Sequence, residues 1–511
     1  MNEILKNTQS FFARLRSHEK KSFRRFLELH EDGSLTQSKS LKLFDILNMD
    51  KEFSEADIKH KLYGQTQVEH RTFIKLVERF REKMYESNFL DVNLYREDVN
   101  SPYFMGLIEA KKMIGVSYSI AARGVANKEM IRILKRGIML SEKFELYDEW
   151  ICFLNLKFLL NASINPENDP AYLIDEIKEL QLRKNTLIEA QYFVYKLIRL
   201  FQDQSSLQND IRQDLNTAIE NLDSKNNKYF SWNVYYNISL LKIQLYHVDE
   251  MYDAAENSLR DLIGHLLTQP SLKQFTRIAE AYTNLASTQM SNLKFAEALK
   301  SNEEALRFPG LRPADRNYYK ESLVFLNIYL RNYSKSNQAL NEIIAEDLIG
   351  NTEEELSRRK YLLATNLFLQ GEYKKSNFQL QDTKEIENEK EGWNIGIRLL
   401  QIFLTLETEK INLADQRIQS LRKHIERTSK TKSVRKRDIV TFRILRHLAM
   451  NGFDFKDTWL DRKKDFLLLQ SDKPEYKWIP RSHEVIIFHQ WFESKVYHKK
   501  YHPDFSRSIV S

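Results

Sequence analysis

One spacing recurs in the apolar pattern of the second half of the chain: an aromatic residue, then a small one three positions later. It appears as Tyr252-Asp253-Ala254-Ala255, Phe295-Ala296-Glu297-Ala298, Tyr333-Ser334-Lys335-Ser336 and Tyr373-Lys374-Lys375-Ser376. The aromatics step by 43, 38 and 40 residues, and a weaker fifth copy falls near Leu413, another 40 on. A period of roughly 20 to 50 residues marks an array of stacked supersecondary units. Within each copy apolar residues return at three- and four-residue steps, the helical period. In 279–309, Tyr282, Leu285, Ala286 and Gln289 share one face of a first helix, and Asn292 and Leu293 turn the chain. Phe295, Ala298, Leu299, Asn302, Ala305 and Leu306 then line a second helix, which Pro309-Gly310 stops. Small residues belong where two antiparallel helices cross, because bulk there holds the axes apart.

Upstream, the pattern stays helical without the phrase. Residues 1–100 read as four or five short helices forming an N-terminal helical bundle. Ser54 and Asp57 approximate a capping box, Tyr63-Gly64 stops that helix, and a long helix follows from about Gln67 to Leu90. Arg71, Lys75, Arg79 and Arg81 on it allow a DNA-reading bundle, but Glu69, Glu78, Glu82 and Glu86 interleave and cancel them. Ser101-Pro102 breaks the pattern. Residues 101–235 read as divergent helical hairpins, 236–425 as the repeats, and 426–511 as a basic C-terminal helical cap. Within that cap, His483 to Tyr497 reads as one amphipathic helix, packed by Trp459, Phe466, Leu467 and Trp478.

The residues of 279–309 resemble the tetratricopeptide repeat. Tyr282 stands for its first large residue, Leu285-Ala286 for its Leu-Gly, Ala298 for its central Ala, and Pro309 lies near its closing Pro. Gln289 and Asn302 depart from the usual Tyr and Phe, and the steps exceed the usual period of about 34. The resemblance covers 235–421. It implies an all-α fold, a right-handed superhelix of stacked hairpins (a TPR-like α-solenoid), and a surface that holds a protein or peptide without catalysis. The chain as a whole also resembles helical-repeat proteins of Bacteroidota-type bacteria, a group that implies no activity.

Composition narrows the picture further. Gly (13) and Pro (9) are scarce in 511 residues, and sheets joined by tight turns need more of both. The single cysteine, Cys152, reads as a small buried hydrophobe, and no intramolecular disulfide can form. The N-terminus lacks a signal-peptide pattern and no run approaches a membrane span, so a cytoplasmic protein is expected. The net charge of +7 is uneven: residues 391–511 carry 24 basic and 15 acidic side chains, while the preceding 390 are slightly acidic.

Two candidate surfaces follow. First helices of such pairs line a concave side, where Asn284, Thr288, Gln289, Asn327, Arg331, Thr365, Asn366, Arg398 and Thr405 read as exposed donors and acceptors for a peptide backbone. The second is basic: Arg427, Lys430, Lys432, Arg435, Lys436 and Arg437 within 422–446 suit an anionic partner, with nucleic acid as the alternative reading. A solvated interhelical loop is the blander account of 428–433, and aromatics that would stack on bases are missing there. His498 and His502 have the four-residue spacing of helical zinc ligands, but Lys499 and Lys500 separate them and Asp504 alone is a poor third ligand. No phosphate-cradling loop, nucleophile elbow or His-Glu-x-x-His sequence occurs, so neither an enzyme nor a cofactor is expected.

Overall fold

The computed structural model describes residues 3–15, 17–30, 38–49, 53–64, 68–90, 100–123, 127–164, 171–202, 208–346, 353–381, 383, 385–386, 392–430 and 434–505. Every regular element among them is a helix. Met1–Asn100 and Ser101–Ser511 form two compact units.

The first unit holds α1 (Glu3–Arg14), α2 (Ser17–His30), α3 (Lys39–Leu47), α4 (Glu55–Tyr63) and α5 (His70–Leu90). Local chemistry sets its helix ends. Ser54 accepts the Asp57 N–H at 3.2 Å while the Asp57 carboxylate accepts the Ser54 N–H at 3.0 Å. Gly64, at φ +63°, then ends α4. The core is aromatic: Phe12 meets Phe44 edge-on at 5.2 Å, and Phe23 meets Phe80 at 5.1 Å.

The second unit begins with α6 (Pro102–Ala122), α7 (Asn127–Phe144), α8 (Tyr147–Ile164), α9 (Ala171–Gln202) and α10 (Gln208–Lys228). Five pairs follow: α11 (Trp232–Val248) with α12 (Tyr252–Thr268), α13 (Phe275–Ser291) with α14 (Phe295–Leu306), α15 (Pro313–Tyr329) with α16 (Tyr333–Glu346), α17 (Glu353–Leu369) with α18 (Tyr373–Gln381), and α19 (Trp393–Glu407) with α20 (Ile411–Thr428). α21 (Lys436–Met450), α22 (Phe455–Asp461), α23 (Lys463–Leu469) and α24 (Phe488–Val496) close the chain. From α6 to α21 successive helices pack on one another. The repeats and the C-terminal segment share one large core, running from Ala286 to Phe505.

The five pairs turn identically. A left-handed residue stands two positions before each second helix: Glu250 (φ +56°), Leu293 (+57°), Arg331 (+61°), Gly371 (+82°) and Glu409 (+57°). The next N–H bonds the carbonyl five residues back, from Met251 to Tyr246, Lys294 to Gln289, Asn332 to Asn327, Glu372 to Leu367 and Lys410 to Thr405, at 2.7–2.9 Å. This is the Schellman closure, which satisfies carbonyls a helix end leaves orphaned. Four of the five turns use a side-chain-bearing residue in a backbone region where glycine is easier. The fifth copy begins at Ile411 rather than Leu413, with Ala414 as its small residue. The α7–α8 turn repeats the geometry at Glu145 (φ +51°), with Leu146 bonding Ser141 at 2.8 Å. The sequence phrase did not extend that far.

The small position is sealed in each copy: Ala255, Ala298, Ser336, Ser376 and Ala414 are fully buried. Serine serves there because the previous helix takes its hydroxyl. Ser376 donates to the Ala364 carbonyl at 2.7 Å and Ser336 to Val324 at 3.3 Å.

Candidate interaction surface

The first helices α13, α15, α17 and α19, together with α21, share a face, and the chain's own C-terminal segment lies on it. After α23 the backbone is irregular through Ile487 and reaches all five helices. Arg481 reaches Ser287 of α13 at 3.2 Å, stands 5.1 Å from the Tyr318 ring, and donates its N–H to the Tyr329 hydroxyl of α15 at 2.7 Å. On α17, Tyr361 donates to the His483 carbonyl at 2.6 Å. α19 approaches so closely that a Cβ on Gly396 would lie 2.8 Å from that same carbonyl oxygen. A Cβ on Gly392, at φ +87°, would meet the His483 ring at 2.5 Å.

The segment then forms α24 and returns. Phe488, Trp491 and Phe492 are fully buried, with Trp491 4.3 Å from Phe403 of α19. Arg331, in the α15–α16 turn, donates to the Pro503 carbonyl at 2.8 Å, and Phe505 packs 4.8 Å from Tyr329. Side chains of the row and its turn thus bond tail backbone at four places: the Tyr476, His483 and Pro503 carbonyls and the Arg481 N–H. Such bonds read a main chain rather than a particular sequence.

A buried charge cluster fastens the tail to α21. The Arg437 guanidinium is fully buried. It grips Glu484 with two parallel bonds (2.5 and 2.9 Å), donates to the Leu469 and Tyr476 carbonyls (2.7 and 2.5 Å), and meets His489 Nδ1 at 3.3 Å. All five of its N–H donors find partners. Beside it, His483 Nε2 meets the Asp438 carboxylate at 3.0 Å. Burial opposes the Asp438 and Glu484 charges, but the facing cations win and hold both carboxyls below their usual range. Burial likewise opposes the His483 charge, and Asp438 overcomes it, so His483 binds its proton more tightly than usual. His489 goes the other way: burial and then the Arg437 charge lower it to about 3. A neutral His489 can accept the Arg437 N–H through Nδ1.

Most of the polar residues expected to face a partner are inside. Thr288, Gln289, Asn327, Thr365, Asn366 and Thr405 are buried. Thr288 bonds the Asn284 carbonyl and His247, and Asn327 bonds the Leu323 carbonyl. Asn366 holds the Tyr333 carbonyl and Asn337. Gln289 joins Glu256 (3.0 Å) and Ser301 (2.8 Å) across α12, α13 and α14. Burial raises Glu256, but bonds from Gln289, Arg260 and Lys294 outweigh it and bring its carboxyl to about 2. The two departures from the repeat pattern are therefore internal: Gln289 in that network, and Asn302 on the Tyr319 carbonyl at 2.8 Å. Asn284 is half-buried. Arg398 is half-buried and bonds Ser420 and Glu385. Arg331 alone of these candidates bonds the backbone of a separate segment, and that segment is the chain's own C-terminal one.

The basic stretch is likewise committed in part. Arg437 is internal, contrary to its reading as a surface cation. Lys436 pairs with Glu475, Arg427 with Glu385 at 2.8 Å, and Arg443 with Asp465 at 3.0 Å. Arg435 is half-buried and stands near the Asp438, His483 and Glu484 charges. Lys430 is exposed, and Lys432 lies outside the described residues.

The helix expected over His483–Tyr497 is shorter: His483 to Ile487 is irregular, its backbone bonded by Tyr361 of the row and by Trp478 and Tyr501 of the tail rather than along a helix. Leu467 faces solvent at 56% exposure, whereas Trp459 packs against Phe466 with ring centroids 4.2 Å apart. Cys152 is half-buried with its sulfur 3.9 Å from the Tyr118 hydroxyl. His498 lies beyond the end of α24 in a left-handed turn (φ +52°), so it and His502 share no helix. Among the described residues no helix is long and apolar enough to cross a membrane. No protein-family model, curated protein or solved structure matches the chain.

Proposed function

We propose that this chain is a non-catalytic scaffold that binds protein, built as a right-handed α-solenoid of TPR-like hairpins with a helical bundle ahead of it. One observation carries the reading. The shared face of the first helices and the α15–α16 turn already hold an irregular stretch of polypeptide, through side-chain bonds to backbone groups at His483, Pro503 and Arg481. A surface shaped for main chain is a surface for protein. The rival, a nucleic-acid regulator using 422–446, loses support because Arg437 is internal and Arg427, Lys436 and Arg443 face carboxylates. Phosphate binding needs several free cations, and its affinity falls steeply with salt.

Two measurements on the intact chain separate the readings. Affinity capture from extract of the native host, followed by light scattering of the purified complex, is expected to give a protein partner at fixed stoichiometry. Duplex and single-stranded oligonucleotides are expected not to bind at about 0.15 M salt. Oligonucleotide binding that disappears in Lys430→Ala/Arg435→Ala, with no protein partner recovered, reverses the assignment.

A further inference from the structure

A second surface lies on the second helices, away from the tail. α16, α17 and α18 enclose an open cleft of about 460 Å³. Leu363 and Leu367 of α17 contribute its apolar lining, with Leu363 8% exposed. Phe378 of α18 stands beside them with 66% of its surface exposed. The fold does not ask for this phenylalanine. Five positions after the aromatic of the phrase, the other copies carry Asn257, Lys300 and Gln338. Phe378 is not a lone exposed side chain: with Leu363 and Leu367 it makes a contiguous apolar patch rimmed by polar residues, the arrangement that marks interaction sites.

The polar lining has one sign. Lys374 and Lys375 are both exposed, and Lys375 shares its charge with Glu372 at 3.2 Å. Asn337 is oriented by its neighbour: its Oδ1 accepts from Asn366 at 2.6 Å, which leaves its NH₂ as the group on offer. No carboxylate lines the cleft among the described residues. Apolar floor, aromatic rim and a set of donors and cations together complement an apolar side chain flanked by carboxylates.

We infer that this cleft docks an acidic amphipathic peptide segment of a partner protein, with Phe378 as the apolar anchor and Lys374, Lys375 and Asn337 taking its carboxylates. The inference rests on the scaffold reading and gives it a location. A nucleic acid is the poorer fit: two cations neutralise few phosphates, and a base has no use for the leucine floor.

The test uses the full chain and a fluorescein-labelled peptide of alternating Glu and Leu turns, beside its Lys-for-Glu counterpart and a single-stranded oligonucleotide. Fluorescence polarisation should show binding to the acidic peptide alone. Phe378→Ser and Lys374→Glu should each weaken it at least about tenfold, as loss of a central anchor or charge does. Both positions are exposed, so thermal melts should not move. Equal affinity for the two peptides, affinity unmoved by Phe378→Ser, or tighter binding of the oligonucleotide overturns the inference. Host-extract capture distinguishes the two levels. A partner retained undiminished by Phe378→Ser removes the cleft and leaves the scaffold, whereas no partner for the intact chain removes the scaffold.

Discussion

Helices α6 to α9 and the first helices of the later pairs obey the same local rules but end with different surfaces. Along α6–α9 twelve large apolar side chains are exposed among the described residues, including Tyr118, Met139, Leu159, Tyr172, Tyr192 and Tyr195. Along α13, α15, α17 and α19 the described residues include one, Tyr318, and Arg481 of the tail lies over its ring. Amphipathic patterning alone does not produce that contrast. A segment from the far end of the chain does, by bringing Trp478, Val485, Ile486, Phe488, Trp491 and Phe505 onto a face that its own helices leave open. A helical row buries its flanks against its neighbours; covering its remaining face takes a long-range contact.

The sharpest way to break the comparison is to end the chain after Gln470. Each large side chain buried by the tail contributes roughly 1.5–3 kcal/mol, and a domain holds only about 5–15 kcal/mol in all. The cooperative melt of the repeats should be lost and a dye that binds apolar surface should light up, while deletion of residues 1–30 should leave the repeats melting as before. A smaller break targets the charge cluster. Arg437→Ala strands Glu484 in the core and should cost about 3–5 kcal/mol by urea unfolding, whereas Arg437→Met with Glu484→Leu should cost far less. If the double variant is as damaged as the single, the pair does more than neutralise itself.

Gly396→Ala should cost about 1–3 kcal/mol, because its Cβ meets the His483 carbonyl and the backbone of α19 must give way. Gly264→Ala is the contrasting case: nothing lies within 4 Å of its Cβ on α12, so the helix should gain about 0.5–1 kcal/mol.

Acidity divides the two tail histidines. His483 has a raised proton affinity in the folded protein, so its contribution is complete below the unfolded value of about 6.5 and is lost as pH rises through the folded one. His489 is held at about 3. The unfolded chain takes up that proton near pH 6.5 and the folded one does not, so stability falls as pH drops below about 6.5, by at most about 1.4 kcal/mol per pH unit. His483→Gln should flatten the alkaline limb of urea midpoints, and His489→Gln the limb between about pH 6.5 and 4. A profile unchanged in both variants would mean that the cluster does not titrate with folding.

The hairpins were legible because their signals are local. The aromatic-x-x-small phrase, the Ser54 box and the Ser101-Pro102 start each act within a few residues. Surface and interior were not legible at the polar positions. Thr288, Gln289, Asn327 and Asn366 have the composition of a peptide-binding face, and period alone does not tell a solvated amide from a buried one that bonds a neighbouring helix. Several of their partners are distant, 33 residues for Gln289–Glu256 and Asn366–Tyr333 and 41 for Thr288–His247, while Asn327 bonds Leu323 within its own helix. The tail was read only as a cap, because its contacts span more: 122 residues for Tyr361–His483, 152 for Tyr329–Arg481 and 172 for Arg331–Pro503.

What the sequence by itself determined is the unit: helices of about two to five turns, small residues at their crossings and turns at regular intervals. Each follows from propensity and period acting over one turn of chain. Only the tertiary structure decided which face is free. That choice depends on where a distant segment comes to rest, and the Arg437–Glu484 pair and the space above Gly396 acquire meaning only once it has.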